Sequence, residues 1–159
     1  MRTIVVILVL LAVATCLSAQ EEEVEISLPL TTGQKAILNL RFAEKIEVKT
    51  WDKKELLIKA NVSINGGLLN DAHTIDTLIR DNAIEISTDF DKDIIKNSGF
   101  RECTGQHRTQ YKVDNRGDQH YSICHNISYI VFLPPETDLE VETISGNISL
   151  SQMTSEVSA

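Results

Sequence analysis

Aromatic side chains are scarce: one Trp, three Tyr and four Phe supply 5% of the 159 residues. With only three Pro and two Met besides, a core in this chain has to be built from aliphatic residues. Basic charge is also short. Lys and Arg number 15 against 23 Asp and Glu, a net charge of −8, which argues against nucleic acid, since phosphate binding needs a basic surface. The same deficit argues against charge-driven docking on anionic lipid. No apolar run is long enough to span a bilayer, which takes roughly 20 residues; the longest covers residues 4–14. Finally, no G-x-S-x-G stretch, H-E-x-x-H pair or Gly-rich phosphate loop is present. Without a convergent acid, base or nucleophile the chain reads as a non-enzyme with no catalytic residues and no cofactor.

What is present begins with a leader. Arg2 gives a positive start, residues 4–14 an apolar stretch, and Leu17-Ser18-Ala19 a small-residue cleavage site. Residues 1–19 therefore read as a secretory signal peptide, and residues 20–159 as one exported domain. Losing Arg2 leaves 14 basic residues against 23 acidic, a net of −9. Val13-Ala14-Thr15-Cys16 loosely matches a lipidation box, so membrane contact is expected only through a lipid on Cys16. If Cys16 leaves with the leader, two Cys remain, an even count suited to an oxidising periplasm, envelope or extracellular space.

Past the leader, apolar and polar residues alternate with period two, and frequent turn signals leave no sustained helical stretch. Ala36 to Leu40 reads as a strand. Ile46 and Val48, then Leu56, Ile58, Ala60 and Val62, point inward on what reads as a hairpin turning at Asp52-Lys53. The region 68–79 is ambiguous between helix and strand, and 83–88 is another strand. Residues 126–133 are apolar on both faces, as a central strand is. Leu139, Val141 and Ile144 follow, and a turn at Ser145-Gly146-Asn147 leads to Ile148 and Leu150. The expected fold is all-β: a β-solenoid-like stack of short strands and hairpins, with a β-sandwich as the alternative.

Two segments carry a family resemblance. KIEVKTWDKKELLIKANVSI at 45–64 and VFLPPETDLEVETISGNISL at 131–150 resemble the opening strands and the L-P-x-x-T-x-L-x-V-x-T-x-S-G-x-I-x-L coil of the bacterial putative-adhesin family. The resemblance implies an exported solenoid-like domain of unknown function. Residues 152–158 look like the start of a further coil, which implies a shortened member or a fragment, and an open sheet edge available for self-association.

The remaining chemistry sits in RECTGQHRTQYKVDNRGDQHYSICHN, residues 101–126, which holds two Cys and three of the four His. Read as a hairpin, Cys103 with Cys124 and His107 with His120 share one pairing sum, 227, with a loop at 112–115. Four residues along a strand span roughly 13 Å, whereas zinc bonds its ligands at about 2.0–2.3 Å. One ion cannot join all four side chains, so Cys103–Cys124 is expected as a disulfide and His107 and His120 remain only weak metal candidates. Arg116-Gly117-Asp118 at the tip is a three-residue match without context. Asp89, Asp91 and Asp93 open like a calcium loop, but Ile94 and Phe100 stand where Gly and Glu are needed.

These readings converge on an exported, non-enzymatic β-domain for cell-surface or envelope interaction or adhesion, with an unidentified surface protein or glycan as partner. The alternative is an envelope-associated sensor or accessory domain of a signalling system.

Overall fold

The alternation resolves into eleven strands and one short helix in the computed structural model, which describes residues 21–99, 103, 107–113, 119–151 and 153–159. The leader with Cys16 and the Arg116-Gly117-Asp118 tripeptide lie outside the described residues. In chain order the elements are β1 (Glu22–Pro29), β2 (Lys35–Leu40), β3 (Lys45–Thr50), β4 (Glu55–Ile64), β5 (His73–Arg80), β6 (Ala83–Phe90), α1 (Lys92–Asn97), β7 (Arg108–Val113), β8 (Gln119–Leu133), β9 (Leu139–Glu142), β10 (Asn147–Leu150) and β11 (Val157–Ser158). A 3-10 turn over Asn70–Ala72 precedes β5, which settles the ambiguous region: a brief turn, then a strand.

Two mixed sheets enclose one core. The first has the order β1-β4-β8-β3-β10, with β7 also on β8; the second runs β11-β9-β2-β6-β5. Inward residues of both sheets form a single cluster, including Leu38, Leu40, Ile84 and Ile86 from one and Ile46, Ile58, Ile127 and Val131 from the other. Burying each such side chain contributes about 1.5–3 kcal/mol. The expected solenoid-like stack is thus corrected to two packed sheets, the arrangement named as the alternative. The coil pattern that suggested a solenoid is real but local. β9 lies beside β2 in the second sheet, β10 beside β3 in the first, and β11 returns to β9, all in parallel.

A second correction concerns residues 45–64. β3 and β4 do not pair with each other, because β8 lies between them, parallel to β3 and antiparallel to β4. The inward residues are those read from the sequence, since alternation reports the face and not the neighbour. At the 51–54 corner, Trp51 donates its backbone N–H to the Leu133 carbonyl at 3.1 Å and stacks on Phe132 with ring centroids 5.2 Å apart. This bridge carries the chain past the end of β8.

Candidate functional site

The Cys/His ribbon brings together fewer side chains than its pairing sum implied. β7 pairs with β8 in the register Arg108↔Cys124 to Val113↔Gln119, a sum of 232 rather than 227. Lys112 and Val113 are strand residues, and the connection falls in 114–118, outside the described residues. Cys103 and Cys124 are nevertheless disulfide-bonded, with Cα atoms 5.5 Å apart. Cys103 lies ahead of β7, where its backbone N–H donates to Ser122 Oγ at 3.1 Å. The bridge therefore pins an incoming segment onto β8 and is not a rung of the ladder.

The same shift separates the two weak metal candidates. His120 stands opposite Lys112, whereas the His107 carbonyl accepts from the His125 N–H at 3.0 Å. The exposed His107 ring contacts Glu44 at 3.3 Å. No group of three His, Cys, Asp or Glu side chains among the described residues is placed to hold a metal ion. The Asp89-Asp91-Asp93 run serves local structure instead. Asp91 caps α1 by accepting from the backbone N–H groups of Asp93 and Ile94, as an N-cap aspartate does. Asp89 pairs with Arg41 at 2.9 Å.

Beneath the ribbon lies a polar–aromatic cluster that the sequence did not reveal. Tyr129 is fully buried and its hydroxyl shares a 2.8 Å hydrogen bond with His73 Nε2. Burial lowers the His73 pKa to about 4 and raises the Tyr129 phenol to about 12, the directions expected when the charged form loses water. Phe42 stacks on Phe90, ring centroids 4.6 Å apart, and His125 meets Phe42 edge-on and Phe90 at a tilt. His125 Nε2 contacts Thr109 Oγ1 at 3.0 Å, while its buried Nδ1 has no hydrogen-bond partner among the described residues. Burial first, then the His107 charge, lowers the His125 pKa.

Phe42 leads to an open site. Its φ of 62° is unusual for a bulky residue, and it belongs to the β2–β3 corner, residues 41–44. The β9–β10 corner, residues 143–146, is strapped against that one, with Asn147 N–H donating to the Glu44 carbonyl at 3.0 Å, and is closed within itself by Thr143 Oγ1 donating to the Ser145 carbonyl at 3.0 Å. Gly146, at φ 120°, packs directly on backbone. A Cβ there would lie 2.7 Å from the Glu44 carbonyl oxygen and nearer still to that of Ala43.

Beside these corners opens a cleft of about 490 Å³ lined by Asn39, Arg41, Ser87, Glu142, Thr143 and Ile144. The sheet register explains its chemistry. Ser87 on β6 and Glu142 on β9 flank Asn39 on β2, so their side chains form one row on the outer face of the second sheet. Arg41 lies past Asn39 and is held by Asp89. Ile144 is 59% exposed at the rim. An amide, a carboxylate, a guanidinium and two hydroxyls thus converge beside one apolar side chain. No local motif announces this set, because its members are drawn from three distant stretches of chain.

No family model matches the sequence, and no match was found among curated proteins. A comparison with solved structures finds a protein described as a "putative cell adhesion protein" from Clostridium sporogenes, at 14% identity and a TM-score of 0.49. The match covers 87% of this chain and 57% of that one. No helix among the described residues is long and apolar enough to cross a membrane.

Proposed function

We propose that the chain is an exported, non-enzymatic β-domain that makes contacts at the cell surface or envelope, with the cleft beside Gly146 as its contact site. The observation that carries this reading is the row of Ser87, Asn39 and Glu142 flanked by Arg41 and the exposed Ile144. Such a set offers several hydrogen-bond donors and acceptors and one apolar contact on a rigid sheet face, which suits the hydroxyl-rich surface of a glycan or a polar protein segment. A disulfide is at home in an oxidising compartment, and cleavage after Ala19 would deliver the domain there. The L-P-x-x-T…S-G-x-I-x-L pattern occupies this same region, with Thr143 and Ile144 in the cleft itself.

Binding to glycan and surface-protein arrays, compared between the natural chain and Arg41→Ala and Asn39→Ala, tests the site. Truncating a polar group that holds a ligand costs about 1–3 kcal/mol, so binding should weaken about tenfold or more. Ligands that bind all three proteins equally would place the contact elsewhere. N-terminal sequencing of the secreted chain should begin at Gln20, and a lipid-bearing Cys16 in its place would replace the soluble form by an anchored one.

A further inference from the structure

We infer that β5 is a homodimer interface, at which two copies join their second sheets edge to edge in antiparallel register. This inference rests on the β5 edge alone and not on the cleft.

The sheet edges of this chain are guarded unequally. β1, at one edge of the first sheet, carries Glu22, Glu23, Glu25 and Pro29, the charges and proline that keep an edge unpaired. β11 has two residues and β10 four. β5 has eight, pairs among the described residues only with β6, and carries Leu78 at 47% and Ile79 at 57% exposure. A long edge with adjacent exposed aliphatics is a template for another strand unless something else covers it.

The β5 sequence is complementary to itself in one register. With Leu78 opposite Leu78 of a second copy, Asp76 faces Arg80 and Arg80 faces Asp76. Thr77 and Ile79 then face each other twice. All pairs keep their faces: Asp76, Leu78 and Arg80 share the outer side with Ser87 and Glu85, and Thr77 and Ile79 share the inner side with Ile86 and Ile84. The backbone phase agrees. Arg80 closes the turn onto Ala83, and its carbonyl, on the β6 side, accepts from Gln34 Nε2 at 3.0 Å. The even-numbered residues therefore spend their backbone groups on β6, leaving Thr77 and Ile79 to present theirs outward. In the proposed register Thr77 and Ile79 are the hydrogen-bonded pairs. Leu78 meets its copy as a non-bonded pair, with Cα atoms about 4.5 Å apart and side chains in contact. Two five-stranded sheets become one, and the Asp76–Ser87–Asn39–Glu142 row continues across the two-fold axis.

Sedimentation of the full chain over a concentration series, with fold monitored by circular dichroism, tests this. The natural chain should dimerise. Asp76→Arg and Arg80→Asp each lose two cross-strand charge pairs at once and should weaken dimerisation about tenfold. The double variant Asp76→Arg/Arg80→Asp restores opposite charges and should recover the dimer, which a merely structural role for either residue would not permit. Leu78→Cys should give a covalent dimer under oxidising conditions while Thr74→Cys does not. A chain that stays monomeric throughout, or a dimer that neither single swap weakens, would overturn the inference. Glycan binding that persists in a monomeric variant leaves the cleft reading intact, so the two can fail separately.

Discussion

The two halves of β8 share one alternation and one inward face, yet are secured differently. From His125 to Leu133 the strand is bonded on both flanks: by β4 over His125–Phe132 on one side, and on the other by the His107 carbonyl and the Glu44 N–H until β3 takes over at Ser128. From Gln119 to Cys124 it has, among the described residues, only β7 as a partner strand, together with the Asn65 contacts to Cys124 and a disulfide across its outer side. Where two strands flank β8, aliphatic burial and ladder bonds suffice; where one does, a covalent tie substitutes for the missing neighbour. Fully buried isoleucines, Ile127 and Ile123, sit in the two halves, so the contrast can be measured with like substitutions.

The largest effect is expected from Ile127→Ala. With β4 on one side and the Glu44 N–H bonded to its carbonyl on the other, the site cannot collapse around the cavity, and the loss should be about 4 kcal/mol by urea denaturation. Ile123→Ala should cost only about 2 kcal/mol because the ribbon can close in. Equal losses would erase the distinction. Next comes the disulfide. Its Cys residues are 21 positions apart, so Cys103→Ser should cost about 3 kcal/mol through loop-closure entropy. Amide exchange should quicken over 119–124 before it does over 125–133; uniform quickening would mean that β8 opens as one unit.

Acid should strain the doubly flanked half through Tyr129's partner. His73 stays neutral in the folded chain down to about pH 4, whereas the unfolded chain takes up its proton near 6.5. Stability from this group is therefore full above pH 6.5 and is lost as pH falls toward 4, on the order of 2 kcal/mol after allowance for its partial exposure. His125 acts in the same direction. Between pH 7 and 4.5 the natural chain should lose more stability than His73→Gln, and parallel losses would remove His73 from the account. The smallest effect belongs to His107→Ala. Its contact with Glu44 is exposed and should contribute under about 0.5 kcal/mol.

How much of this was legible in the sequence depends on the distance over which the signal acts. The inward faces of β3 and β4 were readable because period-two alternation is local, and β8 was readable as a central strand because both its faces are apolar. β1 escaped because Glu22, Glu23 and Glu25 mask the Val24, Ile26 and Leu28 side of the strand. The hairpin at 45–64 was misread because nothing within it announces that β8 will insert. The Cys103–Cys124 pair was identified from a register that proved wrong. A disulfide requires only that two Cα atoms come within about 4.4–6.8 Å, so it does not determine which ladder residues face each other. The cleft was invisible, since Asn39, Ser87 and Glu142 become neighbours only after three parallel strands align.

Parallel alignment also sets a rule for change in this domain. One circuit of the chain, from Leu139 on β9 through β10 to Val157 on β11, returns the backbone to a place beside its starting point. Lengthening by a whole circuit would add one rung to each sheet and leave every existing residue on its own side. Any other insertion within the circuit has to be absorbed at a corner, and the corner at 143–146 has no slack, because Gly146 already touches the backbone beneath it. Natural variation in length within this circuit should therefore come in full turns of chain.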